Sequence, residues 1–301
     1  MSGADSPKLS MIVPVHNRLD CTREFLDSLL QTTQAHNFEL IIIDDASSDG
    51  SKEFLDQLRD NRIQLIRNKE QQGYAKSINL GVKSATGEFL VLLNNDLVFT
   101  DGWLEPMLQC YEEKLRVGTV GNIQKNIFTR SIDHAGIIFD LIGRPDHFGK
   151  NFPFLFPFDY REFPAVTAAC MVIKRSLFTS LNGFDEAFLN GGEDVDLCLR
   201  LGEKGLRNLI AGKSQVWHHV SATTGRRNYD NENCRLLIAR YSKRLLNRGQ
   251  KDWPIQYLMR YWGKPWLYNG PKLIDAMLRI LKLKSGDSKW AKEKRAQIMN
   301  T

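Results

Sequence analysis

Four short apolar runs in the first 95 residues constrain this chain more than any other feature. LSMIVPV (9–15), FELIIID (38–44), RIQLIR (62–67) and EFLVLLN (88–94) each read as a buried strand bounded by polar residues. The segments between them have helical spacing. Residues 20–33 place Phe25, Leu26, Leu29 and Leu30 on one face; a short helix follows DASSDGS through Phe54, Leu55 and Leu58; residues 73–84 form the third. Alternating strand and helix predict an α/β fold, with a Rossmann-like parallel sheet and helices on both faces. The right-handed crossover rule then limits its topology.

Ligands of such sheets sit beyond the carboxyl ends of the strands. Three polar clusters fall there: His16-Asn17-Arg18, Asp44-Asp45-Ala46-Ser47 and Asn94-Asn95-Asp96. Any one of them could simply close a turn. Three at successive strand ends point to a shared site. No GxGxxG follows the first strand and no GxxxxGK[ST] occurs, which argues against dinucleotide oxidoreductases and P-loop NTPases. Asp96 offers a hard oxygen suited to Mg²⁺ or Mn²⁺ shared with a diphosphate.

Beyond residue 100 the alternation weakens. Residues 103–115 read as a helix, and VGTVGNI (117–123), SIDHAGIIFD (131–140) and AVTAACMVIK (165–174) as strands. NFPFLFPFDYREFP (151–164) reads as an irregular aromatic loop, either an anchor or a wall of an acceptor cleft. Gly191-Gly192 precede Glu193-Asp194-Val195-Asp196, where a helix begins. Acids in a first turn ordinarily serve the helix dipole. Three in four residues exceed that need, and one facing the cleft could act as a general base. SQVWHHVSATTG (214–225) reads as a strand and a polar loop. His218 and His219 would then point to opposite faces, so at most one would serve a metal.

Taken together and in this order, SMIVPVHNR, LIIIDDASSDGS, GYAKSINLGVKSATGEFLVLLNND, AACMVIKRSLFTSLNGFDEAF, GGEDVDLCLR and VWHHVSATTG resemble the inverting nucleotide-sugar glycosyltransferases of family 2, with the GT-A fold. The resemblance covers about residues 8–225 and lies closest to the rhamnosyltransferase-like branch that builds bacterial surface polysaccharides. It implies a hexosyltransferase using dTDP-rhamnose or a UDP-sugar with Mn²⁺ or Mg²⁺, acting on a glycan or lipid-linked glycan. By position, it implies Asp96 as metal ligand, His218 completing the metal shell, and Asn95 near ribose or metal. Asp45 matches the acid at the nucleotide base, and Pro14, His16 and Asn17 the loop against the nucleoside. Lys76 lies where a phosphate-facing cation could sit. Asp194 matches the general base, with Glu193 beside it. The two asparagines depart from the family's acidic triplet, so metal binding leans on the donor diphosphate. An inverting transfer needs a base and charge neutralisation but no covalent nucleophile, and no cysteine here has a flanking constellation suggesting one.

The chain divides by charge. From Arg235 onward, 16 Lys and Arg face four acids, a net +12, whereas the whole chain carries +6. We therefore separate a nucleotide-sugar-binding and catalytic domain (1–232) from a basic, aromatic-rich helical region (233–301). Amphipathic helices with Tyr257, Tyr261, Trp262, Trp266 and Tyr268 among cations suit an anionic membrane surface. A packing domain or homo-oligomer interface is the alternative; no nucleic-acid recognition motif is present. No 18-residue apolar run exists, the start lacks a signal-peptide core, and five unpatterned cysteines read as reduced and mostly buried. These predict a cytoplasmic protein, peripheral at the inner face of the cell membrane. A processive synthase would need Gln-x-x-Arg-Trp, which Gln256, Arg260 and Trp262 do not form. A catalytically inactive membrane-surface scaffold with the same fold would have no use for Asp96, Asp194 and His218.

Overall fold

In the computed structural model, which describes residues 9–154, 157–219 and 229–300, the four apolar runs form β1 (Leu9–Val15), β2 (Phe38–Asp44), β3 (Ile63–Arg67) and β4 (Phe89–Leu93). They are linked by α1 (Leu19–Thr32), α2 (Ser51–Asp56) and α3 (Tyr74–Ser84). Their side chains alternate between two cores. Leu9, Met11, Val13 and Val15 of β1 join Leu40 and Ile42 on one face, while Ile12, Ile41 and Ile43 enter the other. A sheet buried on both faces explains why the strands read as continuous apolar runs. On the second face α3 lies so close that a Cβ at Gly81 would meet Ile12 Cγ2 at 2.6 Å and Ile43 Cδ1 at 2.8 Å.

The chain continues through β5 (Leu97–Phe99), α4 (Glu105–Glu113), β6 (Val117–Asn126), β7 (Ile132–His134), β8 (Ile137–Phe139), β9 (Pro145–His147) and β10 (Tyr160–Phe163). Then come β11 (Cys170–Lys174), α5 (Arg175–Ser180), α6 (Glu193–Glu203), β12 (Arg207–His218), α7 (Asp230–Arg260), α8 (Gly270–Ile280) and α9 (Lys289–Asn300). The main sheet runs β10-β12-β6-β11-β4-β1-β2-β3, with β5 on β12 and β7 on β6. Pairings β4-β1-β2-β3 and β12-β6 are parallel, and β11 is antiparallel to both neighbours. The result is a central, mostly parallel sheet flanked by helices. Strand order reverses beside β1, opening a crevice at the carboxyl ends of β1 and β4.

Several expectations change. Residues 131–140 are two short strands, because Gly136 (φ 115) breaks the run and a Cβ there would strike the Phe163 ring at 2.4 Å. The strand expected at 165–174 begins only at Cys170, and 165–169 cross the mouth of the sheet instead. The strand expected from 214 begins at Arg207, with a register shift between Ala211 and Gln215. The polar loop at 220–225 lies outside the described residues. All five cysteines are buried and free. Among the described residues, no helix is long and apolar enough to cross a membrane.

The basic segment from 235 is not free on the surface. Leu237, Ile238, Leu245, Trp253 and Tyr257 of α7 belong to the same buried cluster as β2, α3 and α6. Tyr257, Tyr261 and Tyr268 pack ring against ring at 5.3–5.7 Å, leaving Trp262 and Trp266 as the exposed aromatics of that stretch.

Candidate active site

The crevice is a cavity of about 780 Å³, within the range of small-molecule sites. One wall carries Pro14, His16, Asn17 and Asp45; the floor carries Asn94, Asn95 and Asp96; Glu193 and Asp194 stand on another wall. The three strand-end clusters and the GGEDVD segment, far apart in sequence, therefore share one cavity.

The first wall is held by backbone geometry. Asn17 (φ 58) and Arg18 (φ 61) are consecutive left-handed residues, a costly pair that sits at the ligand edge. Asn17 Oδ1 accepts from Ser48 N at 2.7 Å, and His16 Nδ1 donates to the Asp45 carbonyl at 2.7 Å. The buried Asp45 carboxylate accepts from Asn68 Nδ2 (2.6 Å), Gln72 N (2.8 Å) and Gly73 N (2.9 Å). It thereby clamps the loop that leads into α3. Asp44 closes its own turn through Ser47 N at 3.0 Å, as a structural aspartate would. Asn95 Nδ2 donates to Thr22 Oγ1 of α1 at 2.9 Å, fixing the floor.

Asp96 meets His218 across the β4–β12 gap, with Oδ1 and Nε2 3.3 Å apart. On its other side His218 Nδ1 donates to Asp133 Oδ2 at 2.9 Å, and Lys150 Nζ lies 3.4 Å from Asp133 Oδ1. Burial pushes the imidazole towards its neutral form. Asp96 and then Asp133 more than offset this and raise it to about 9. Burial likewise pushes the Asp133 carboxyl up, but the hydrogen bond and charge of His218 hold it well below the ordinary range. Positive charge is thus favoured between the two carboxylates.

This donor set fits a divalent cation. Two adjacent ligands at bond lengths of about 2.1 Å stand roughly 3 Å apart, close to the separation found. A carboxylate behind the imidazole is the common way to fix a metal-binding histidine. Among the described residues, no group of three or more His, Cys, Asp or Glu converges as a metal site. A bound diphosphate could supply further ligands, as in phosphate-assisted Mg²⁺ sites.

On the opposite wall, Gly191 (φ 146) and Gly192 (φ 92) turn the chain into α6. Asp194 Oδ2 accepts from Ala168 N at 3.1 Å, and Glu193 Oε2 accepts from Gly191 N at 2.9 Å. Glu193 is buried and Asp194 half-buried. Asp196 faces away and is fully buried in ion pairs with Arg200 (2.7 Å) and Arg240 (3.0 Å), a structural role.

Two expected site residues do not line the cavity: His218 is buried behind Asp96, and Lys76 lies to one side. Lys76 is exposed and borders a neighbouring depression of about 160 Å³, because the turn of α3 carrying it faces outward. Arg18 lines the main cavity instead. None of the described residues of 151–164 lines the cavity either; Phe163 is buried against Phe148 as an anchor. The wall comes instead from Arg144 and His147 at the β8–β9 hairpin and from Asp230, Asn233 and Leu237 of α7. Sequence reasoning overlooked these and Asp133. The one local signal was Asp133-His134 inside an apolar run, two titratable groups where a strand should be greasy.

The sequence profile described as glycosyl transferase family 2 matches residues 10–181. The O-antigen biosynthesis protein RfbC of Myxococcus xanthus is 34% identical over 228 residues, which cover 72% of this chain and 18% of that protein. An uncharacterised glycosyltransferase of Rickettsia bellii is 28% identical over 80% of this chain and 31% of its own length. The chain thus spans under a third of these curated relatives. Among solved structures, GalNAc-T7 with UDP, GalNAc and Mn²⁺ superposes with a TM-score of 0.66 at 17% identity, over 98% of this chain and 57% of that one. The mannosyltransferase PcManGT of Pyrobaculum calidifontis, with GDP-Man and Mn²⁺, gives 0.58 at 18% identity, over 98% and 80%. These neighbours share the GT-A architecture. With the profile spanning more than half of its length and the ligand edge built as described, the chain belongs to glycosyltransferase family 2.

Proposed function

We propose that this chain moves a sugar, with inversion, from a nucleoside-diphosphate donor to a hydroxyl of a growing surface polysaccharide. The observation that carries this is that Asp96, on the floor of the cavity that also holds Asp194, pairs with the buried His218, which Asp133 backs. The donor nucleoside lies against Pro14, His16, Asn17 and the Asp45 loop, with Asn95 bracing the floor. Arg18, rather than Lys76, is the cation nearest the diphosphate. Mn²⁺ or Mg²⁺ held by Asp96 and His218 would offset the charge of the departing diphosphate. Asp194 takes the proton of the acceptor hydroxyl from the face opposite the leaving group, and Glu193 supports the Gly191 turn beside it.

The O-antigen relative supports a polysaccharide acceptor, and dTDP-rhamnose or a UDP-sugar remains the donor class. A lipid-linked acceptor would place the reaction at an anionic membrane, with 1–232 as the catalytic unit and 233–301 as the docking region. The test is calorimetry of UDP, dTDP and GDP with Mn²⁺. At least one should bind only with the metal, and Asp96→Ala should abolish that binding without lowering the melting temperature by more than a few degrees. Metal-independent binding of all three, or an unaffected Asp96→Ala protein, would overturn the assignment. Product formed with a retained anomeric configuration by NMR would overturn inversion.

A further inference from the structure

Helix α8 carries charge inward beside the core residues Leu273 and Ala276, and leaves other apolar side chains outside. Asp275 and Arg279 point into the protein, at 3% and 7% exposure, whereas Ile274 and Leu281 stand outward at 60% and 62%. Met277 is also exposed and lies on the same face, since positions 274, 277 and 281 recur at helical spacing. The inward charged groups form a network. Asp275 Oδ1 receives Arg279 Nε and Lys284 Nζ, each at 2.9 Å; its Oδ2 receives Trp290 Nε1 at 3.2 Å and the Ser288 hydroxyl. Arg279 also donates to the Gly286 carbonyl at 2.7 Å. This network fixes the rotation of α8, so its apolar face cannot turn inward. A water-facing helix has the opposite arrangement. Trp262, Trp266 and Leu283, on the segments flanking α8, are exposed as well, the last at 73%.

We infer that the outward face of α8 docks on an anionic lipid bilayer. The choice of occupant rests on charge. Residues 261–301 hold nine Lys and Arg against three acids. Lys264, Lys282, Lys289, Lys292 and Lys294 are all exposed. An exposed apolar helix face in a segment that also exposes tryptophans and lysines matches an interface of acyl chains and anionic headgroups. A second copy fits worse, because a two-fold contact on this face would set one cationic segment against another. The inference deepens the membrane part of the reading above, but its evidence is independent of catalysis.

Flotation of the full chain with phosphatidylcholine vesicles, with and without 30% phosphatidylglycerol, tests it. Binding should require the anionic lipid and weaken with salt. The double variant Ile274→Asp/Leu281→Asp should lose at least tenfold in vesicle affinity. Its melting curve should be unchanged, because both side chains already face solvent. Lys282→Gln should cost roughly fivefold at low salt. Wild-type protein that stays off anionic vesicles, or a double variant that still floats, would overturn the inference. So would a dimer in light scattering that the double variant splits, which would assign the face to a second copy. A chain that floats but transfers no sugar would leave this inference standing while the transfer reading fell.

Discussion

Asp194 and Glu193 are neighbours with different surroundings. Asp194 is tied to the Ala168 amide across the cavity, whereas Glu193 is buried and turned back on Gly191. Asp194→Asn keeps the size and one acceptor oxygen but cannot take a proton. Turnover should fall by roughly 10²–10⁴, and nucleotide affinity should stay within a few-fold, as read by steady-state kinetics beside calorimetry. Near-normal turnover would return Asp194 to helix capping. Asp133 is the other residue to test. It touches no part of the cavity floor directly but fixes His218 through Nδ1. Asp133→Asn should weaken Mn²⁺ binding by about 10–100-fold while leaving metal-free nucleotide contacts alone. Unchanged Mn²⁺ affinity in a calorimetric titration would make the Asp133–His218 bond merely structural.

At the scale of elements, α7 positions the site as much as the sheet does. Arg240 bridges Asp185 (2.7 Å) and Asp196 (3.0 Å), and Tyr241, where the helix is kinked, donates to Asp196 at 2.9 Å. These bonds hold α6, and with it Asp194, against the tail. Gly249 lies in the middle of α7, where alanine would gain about 1 kcal/mol of helix propensity. A Cβ there would meet the Asp140 carbonyl oxygen at 2.1 Å, and backbone cannot move aside as a side chain can. The steric effect should win. Gly249→Ala should destabilise by about 1–3 kcal/mol, measured by urea unfolding. A gain in stability would mean that α7 rides further from the β8–β9 hairpin than described.

For the whole molecule, the net +12 of the tail overstates its free positive surface. Arg240 pairs with Asp185 and Asp196, and Arg260 with Asp146, all acids outside the tail. Of the other exposed cations, Lys243, Arg244 and Lys251 lie on α7, and Lys264, Lys282, Lys289, Lys292 and Lys294 lie beyond it. The tail also completes the core. Burying Leu237, Ile238, Leu245 and Trp253 is worth about 1.5–3 kcal/mol each, against a net stability of about 5–15 kcal/mol for a typical domain. Deleting 235–301 should therefore leave a chain without a cooperative melting transition by circular dichroism. A truncated protein that melts like the full chain would make the tail an appendage. Point variants on α8 are therefore a cleaner probe of membrane binding than truncation.

The first four strands and their helices were legible because apolar periodicity and turn residues are local properties of the sequence. So were the polar clusters at their carboxyl ends, and hence Asp45, Asn95 and Asp96 as cavity residues; Asp194 was signalled by three acids after Gly191-Gly192 and by the family resemblance. What lies after residue 100 was harder, since short strands broken by Gly136 carry too few residues to show a period. Only the fold could bring Asp133 to His218 across 85 positions, or close the cavity with Arg144, His147 and the start of α7. The tail makes the division plain. Its sequence specifies that α8 has one apolar and one charged face. It does not specify which face turns inward, because burial is a relation between elements: Ser288, Trp290 and Lys284 must first converge on Asp275 before the apolar face is committed to the outside.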